Sequence, residues 1–222
     1  MGIISKIESL IVKWRNHVKL TQKGPAGNFW RNGGNDLLIS SLPICTTDIV
    51  VDAGGYKGEW ADQILARYGA KVVVFEPVPV FYQGLRIHYV GNDRVSVRAT
   101  ALARTAGKAS IAFSDNGSSI FGKQASMLEI DLESLEDYIL SEGISTIACL
   151  KLNIEGSEYD VLEGLIERRL IHRISCLLIQ FHTIEERSKL RRSEIQAQLA
   201  KTHTKVFDYP FVWERWDSRK DS

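Results

Sequence analysis

Ile49-Val50-Val51-Asp52-Ala53-Gly54-Gly55-Tyr56-Lys57-Gly58-Glu59-Trp60, followed by Val72-Val73-Val74-Phe75-Glu76-Pro77, is the stretch that decides the fold. A β-branched apolar run ends in an acid, a glycine turn leads into a helix, and a second apolar run ends in Glu76. This arrangement suits an adenosine-containing cofactor. Glycine lets the backbone approach it closely, and a carboxylate at the next strand tip can grip a ribose diol. Neighbouring strands lie about 5 Å apart, so the turn and the acid face one small molecule.

Outward from this stretch, strands and helices alternate. Strand 48–52 precedes helix 58–68, strand 71–75 leads to a helix near 80–89, and 95–101 reads as a third strand. A hairpin-type excursion, 109–114 with 126–130, surrounds the loop 115–119. Helix 132–142, strand 147–154, helix 157–168, strand 174–181, helix 184–203 and a final extended segment 204–213 follow. The rhythm predicts an α/β, doubly wound, mostly parallel sheet with helices on both faces, and ligands beyond the carboxyl ends of its strands. Gly24-Pro25-Ala26-Gly27 and Asn32-Gly33-Gly34-Asn35 read as loops, with a short helix from Asp36 to Leu42. Residues 1–44 thus form an N-terminal amphipathic helix with a lead-in, and 45–222 form the main domain.

Over 3–20, Ile3, Ile7, Leu10, Ile11, Trp14 and Val18 share one stripe and the other side is basic. That helix suits packing on its own domain or a second copy in a homodimer; weak contact with a membrane surface is the alternative. The 222 residues fit one domain of ordinary composition, 44% hydrophobic and 25% charged. A formal charge of +1 gives no electrostatic case for nucleic acid as a partner. Cys45, Cys149 and Cys176 lack metal-ligand spacing and read as reduced thiols, two of them in buried strands. With no apolar run near 18 residues and with Lys6, Glu8, Lys13 and Arg15 interrupting any leader, the expectation is a cytoplasmic protein.

Two cofactors compete. Ala53-Gly54-Gly55-Tyr56-Lys57-Gly58 nearly matches the nicotinamide fingerprint, with Ala in place of the first glycine. Asp52 at the strand tip would repel a pyrophosphate, whereas it tolerates the zwitterionic amino-acid end of S-adenosyl-L-methionine. Only one mononucleotide-binding half precedes the excursion. A second block, Cys149-Leu150-Lys151-Leu152-Asn153-Ile154-Glu155-Gly156-Ser157-Glu158-Tyr159-Asp160-Val161-Leu162-Glu163-Gly164, runs from a buried strand into a helix. Lys151, Asn153 and Glu155 alternate onto one side near the strand end, where polar groups need either partners or a use.

Together the two blocks resemble the FkbM family of S-adenosylmethionine-dependent methyltransferases, over roughly Asp48 to His182. That family shows an Asp-x-Gly-Ala/Gly-x-x-Gly turn, Glu-Pro after strand two, and Lys-x-Asp-x-Glu-Gly-x-Glu. Ala101-Leu102 with Gly107 resembles its Ala-Leu-x-x-x-x-Gly segment, and Ser134-Leu135-Glu136-Asp137 stands where it has Thr-Leu-Asp. The resemblance implies the seven-stranded class I methyltransferase fold, S-adenosyl-L-methionine as cofactor, and O-methylation of a sugar or polyketide-type hydroxyl. Asn153 and Glu136 each replace a family Asp. An amide cannot act as a general base, so a carboxylate mechanism at position 153 is not available.

On this reading Asp52 orients the amino-acid end of the cofactor, and Gly54, Gly55 and Gly58 let the chain pass close to it. Glu76, next to Pro77, accepts the ribose hydroxyls, and the Ala101-Leu102 backbone borders the adenine. Tyr56 lies near the sulfonium, with Ala53 and Asn153 completing the cofactor-facing set, while Trp60 reads as core. The acceptor is a small molecule or glycan. Of three candidates for its proton, Glu155, Glu158 and His182, the histidine has the most suitable ordinary pKa. Glu155 then positions the hydroxyl and His182 takes the proton; alternatively Glu155 pairs with Lys151, an arrangement that holds the site and does no chemistry. Glu155 and Glu158 are the only tempting metal pair and lack a third ligand, so no metal is expected. The aromatic segment 209–216 either caps the sheet edge or lines the acceptor pocket. Arg187, Lys189, Arg191 and Arg192 read as a solvated face, with a phosphate-bearing acceptor as the alternative. The competing functions are an NAD-dependent oxidoreductase and a non-catalytic cofactor-binding module, the latter motivated by Asn153.

Overall fold

The structure, a computed structural model, describes residues 23–113 and 126–219. The N-terminal helix expected over 3–20 and the loop 115–119 lie outside the described residues.

Strand β1 (Ile49–Ala53) lies between β2 (Lys71–Phe75) and β7 (Cys149–Leu152), parallel to both, with Asp52 opposite Val74 on one side and Lys151 on the other. Its near-continuous burial explains its apolar run: helices cover both faces of a parallel sheet, so neither set of alternate side chains meets water. The full order is β3 (Val95–Arg98), β2, β1, β7, β8 (Cys176–Ile179), β10 (Trp213–Ser218) and β9 (His203–Tyr209), seven strands of which β10 alone runs against the rest. Helices α3 (Glu59–Tyr68), α4 (Pro79–His88), α6 (Glu158–Glu167) and α7 (Ser188–Leu199) connect strands of this sheet. The chain steps outward from β1 through β2 to β3 (Val95–Arg98), then returns across β1 to β7 and β8 (Cys176–Ile179). That reversal puts the strand-order switch between the tips of β1 and β7.

Alternate residues feed two cores. Val51, Phe75, Leu150, Leu152, Tyr159 and Leu162 pack on one face; Val50, Val72, Val74, Trp60, Ile64 and Leu85 pack on the other. Cys149 and Cys176 are buried and Cys45 is exposed, all three free.

Several segments differ from expectation, among them the short helix expected over 36–42, which spans Gly34–Leu37. Gly24-Pro25-Ala26-Gly27 opens helix α1 (Gly24–Arg31) instead of a loop, because proline is tolerated in a first turn and fully buried Phe29 anchors the helix edge-on against Tyr209. Phe29, with Leu38, Leu42 and Ile44 beyond the short helix α2 (Gly34–Leu37), joins the second core. Residues 95–101 are not one strand: β3 ends at Arg98 and β4 (Thr100–Ala103) joins a separate three-stranded sheet. There β5 (Gly107–Phe113) and β6 (Ser126–Ser134) form the expected antiparallel pair. Helix α5 (Leu135–Ser141) starts at 135, not 132, since Leu132 and Glu133 pair with β4 and the Ser134 hydroxyl caps the Asp137 N–H. The final extended segment is a hairpin, β9 (His203–Tyr209) and β10 (Trp213–Ser218), whose turn lies at the carboxyl end of β8. No helix among the described residues is long and apolar enough to cross a membrane.

Candidate active site

The glycine turn after β1 spends four of its N–H groups internally. Gly54 and Gly55 both donate to the Phe75 carbonyl (3.0 and 3.2 Å), Gly58 donates to Gly55 (2.8 Å), and Tyr56 donates to the Glu76 carboxylate (2.8 Å). Gly54 sits at φ 80°, and a Cβ there would overlap the Asn153 carbonyl oxygen and stand 3.1 Å from its carbon. Gly54 therefore lets β1 and β7 close on each other, a second demand beside the approach of a ligand.

Asp52 is fully buried and its Oδ1 receives Lys151 Nζ at 2.5 Å, the cation also donating to the Gly54 carbonyl (3.2 Å) and lying 5.6 Å from the Trp60 ring centre. Burial pushes the Asp52 carboxyl up, and Lys151 opposes that shift. Lys151 thus pairs with Asp52 and not with Glu155, a correction set by the lateral register of β1 and β7. Trp60 is core, as expected, and also the floor beneath this cation. Two acceptors in this layer, Asp52 Oδ2 and Asn153 Oδ1, are buried with no hydrogen-bond partner among the described residues. Orphaned buried acceptors are rare enough to call for an explanation.

Glu76 is buried at the tip of β2. Its two oxygens accept the N–H groups of Tyr56 and Val78, at 2.8 and 2.9 Å, which fix the carboxylate and use one acceptor position on each oxygen. Burial raises its pKa and these backbone donors oppose the rise. Pro77 follows, half-buried. Ala101 is half-buried in β4 and Leu102 fully buried in the core.

Beyond β7 the chain turns through Glu155 at φ 53° and Gly156 at φ 112°. Tyr56 (φ 51°) and Phe211 (φ 57°) are also left-handed, so three strained non-glycine residues gather at the carboxyl edge of the sheet, where strain is often retained for function. The Tyr56 ring meets Phe81 edge-on with centres 4.5 Å apart. Glu155 is 78% exposed, with Oε1 3.6 Å from His182 Nε2. On the opposite side of the ring, Nδ1 lies 2.9 Å from Oε1 of fully buried Glu158. Burial opposes a charge on His182, and hydrogen bonding and attraction from Glu158, with Glu155, outweigh it, so its pKa is raised.

The structure therefore brings together Asp52, Gly54, Gly55, Tyr56, Glu76 and Asn153 around one strand-tip layer and Glu155 with His182 beside it. Glu158, one of the three base candidates in the sequence and half of the metal pair set aside for want of a third ligand, is sealed from solvent under His182; its place two residues after Gly156 was the available signal. Glu136, the other departure from the family pattern, is buried against Gly164, whose missing side chain leaves room for the longer acid. Arg191 and Arg192 are not a solvated face. Arg191 pairs with Asp160, Glu163 and Glu185, and Arg192 with Asp208 and Glu214, so neither stands ready for a phosphate. No cluster of three metal-binding side chains occurs among the described residues.

A family model of the methyltransferase FkbM domain matches residues 52–212, spanning both motif blocks and the hairpin turn. The chain belongs to the methyltransferase FkbM family. The methyltransferase sdnD of Sordaria araneosa is 28% identical over 167 residues, 58% of this chain and 64% of that protein, so the chain spans less than two thirds of that relative. A methyltransferase FkbM from Methylobacillus flagellatus KT shares the fold with a TM-score of 0.55 at 17% identity, over 80% of this chain and 45% of that one. A putative rRNA methylase from Clostridium thermocellum shares it with a TM-score of 0.54 at 10% identity, over 91% of this chain and all of that one. At these identities the two solved structures speak for the fold, that of the class I methyltransferases.

Proposed function

We propose that this FkbM-family chain is an S-adenosyl-L-methionine-dependent enzyme that methylates a hydroxyl of a sugar, glycan or secondary metabolite. The observation that carries the cofactor assignment is the pair of buried acceptors without a partner among the described residues, Asp52 Oδ2 and Asn153 Oδ1, on neighbouring strand tips under the glycine turn. An ammonium group offers the donors they lack, and Asp52 and Asn153 would hold it while Glu76 offers its remaining lone pairs to a ribose diol. Asn153, as an amide acceptor, then serves binding and not proton removal. A pyrophosphate finds the opposite situation, since the N–H groups of Gly54, Gly55, Tyr56 and Gly58 are already committed within the protein. This disfavours the nicotinamide reading. S-Adenosyl-L-methionine, when bound, supplies a methyl group on a positively charged sulfur.

His182 is the base that takes the acceptor's hydroxyl proton at Nε2, and Glu155, 3.6 Å away and exposed, positions the hydroxyl beside it. Lys151 acts through Asp52, neutralising it and fixing its rotamer. The presence of an oriented histidine at the strand tip argues for turnover over a silent binding module.

Calorimetry with S-adenosyl-L-methionine and with NAD tests the cofactor directly. Saturable binding of the first and none of the second is expected, and the reverse overturns the reading. Methyl transfer from labelled cofactor to a small-molecule extract of the producing cell should be lost in His182→Ala, with cofactor affinity kept. Unchanged transfer in that variant removes His182 from the mechanism.

A further inference from the structure

One buried carboxylate ties together the two loops that carry the acceptor-side residues. Glu158 Oε2 accepts the Gly156 N–H at 2.8 Å, in the turn that displays Glu155. Its Oε1 accepts the His182 N–H at 2.6 Å and lies 2.9 Å from the same residue's Nδ1. The side chain is fully buried at the start of α6. A carboxylate so placed can hold only acceptor positions, so Nδ1 must carry the proton and the lone pair of the neutral ring is left at Nε2, facing Glu155.

We infer that Glu158 is a positioning residue: it clasps the β7–α6 turn to the end of β8, fixes the tautomer of His182, and sets the separation of Glu155 from Nε2. The inference rests on the base role proposed for His182. An exposed glutamate at φ 53° and a glycine at φ 112° form a strained turn, closed by the Ser157 N–H donating to the Ile154 carbonyl at 3.2 Å. The Gly156 N–H bond to Glu158 adds a second, shorter tie at 2.8 Å. Tyr159 strengthens the same junction by donating its hydroxyl to the His182 carbonyl at 2.8 Å.

Other charges around the ring are taken up elsewhere. Arg191, stacked over Tyr159, is bound by Asp160, Glu163 and Glu185, and Arg192, over Phe181, by Asp208 and Glu214. Glu158 from α6 and Glu155 from the turn are therefore the negative charges that His182 feels most directly.

Glu158→Gln keeps the size and removes the charge. An amide presents one acceptor where Glu158 presents two, so it satisfies either Gly156 or His182 but not both. NMR titration of the His182 ring in the full chain should show its midpoint falling to the ordinary histidine range or lower, where burial acts without Glu158. Turnover should drop about tenfold or more, within the range that a positioned base supplies. Affinity for S-adenosyl-L-methionine should hold, and Glu158→Asp should recover part of both losses. An unmoved His182 midpoint in Glu158→Gln overturns the inference whatever the activity. A lowered midpoint with full methyl transfer by His182→Ala instead leaves the clasp standing and removes the base assignment. Ring nitrogen shifts of the unsubstituted protein decide the matter if Glu158→Gln fails to fold: a neutral ring protonated at Nδ1 is expected, and one protonated at Nε2 overturns the inference.

Discussion

Replacing Gly54 by alanine separates two reasons for a glycine at the first turn. Position 54 has φ 80°, a conformation that costs an alanine about 1–2 kcal/mol. The added methyl would overlap the carbonyl of Asn153 on β7, a backbone atom that cannot rotate away, and such overpacking costs about 1–3 kcal/mol. Together these predict a loss of roughly 2–5 kcal/mol in unfolding free energy. Urea denaturation followed by tryptophan fluorescence measures it, with buried Trp60 as a reporter close to the turn. Gly84→Ala is the matched control: that glycine lies in α4, exposed, with nothing within 4 Å of its missing Cβ. It should gain about 0.5–1 kcal/mol, because alanine gives up less chain freedom in a helix. If Gly54→Ala loses under about 1 kcal/mol yet abolishes S-adenosyl-L-methionine binding, the packing argument fails and the ligand alone requires the glycine.

Lys151→Met strands a fully buried Asp52 and should destabilise by about 3–5 kcal/mol in the same assay, with Asp52→Asn added in the double variant recovering much of it. A small single-variant loss would show that the pair is not sealed from water. With His182 as the proposed base, methyl transfer should rise with pH through a midpoint above 6.5, because the ring must be neutral to accept a proton and its pKa is raised. Glu155→Gln should move that midpoint down; an upward move contradicts the electrostatic account. Stability carries two opposing histidine contributions. That of His182 is fully present below the unfolded value near 6.5 and is lost as pH rises through its higher folded value. His203 is buried with Nε2 2.9 Å from the Ile174 carbonyl, and burial lowers its pKa. Its contribution is present above 6.5 and lost as pH falls through the lower folded value. His203→Gln should therefore flatten the fall in melting temperature between about pH 7 and 5, and an unchanged slope would exclude His203 as its source.

By itself the sequence determined the layers and the sheet edge at which the candidate site lies. Runs such as Val50-Val51 and Val72-Val73-Val74 are apolar at every position because both faces of their strands are covered, and acids at the run ends mark the tips. The Asp52 turn, Glu76 and the Lys151–Glu155 block were legible for the same reason: alternation along a strand is a local property of the chain. Lateral partnership is not local. Lys151 reaches Asp52, 99 residues away, through the register of two strands, and nothing in either segment distinguishes that partner from nearby Glu155. Glu158 likewise changed from candidate base to buried clasp only when the end of β8 was laid over the start of α6. The split of 95–103 between two sheets and the folding back of β10 beside β8 also depended on which edges were free to pair. Hydrophobic period fixes the face on which a side chain falls; only the packed chain fixes what it meets there.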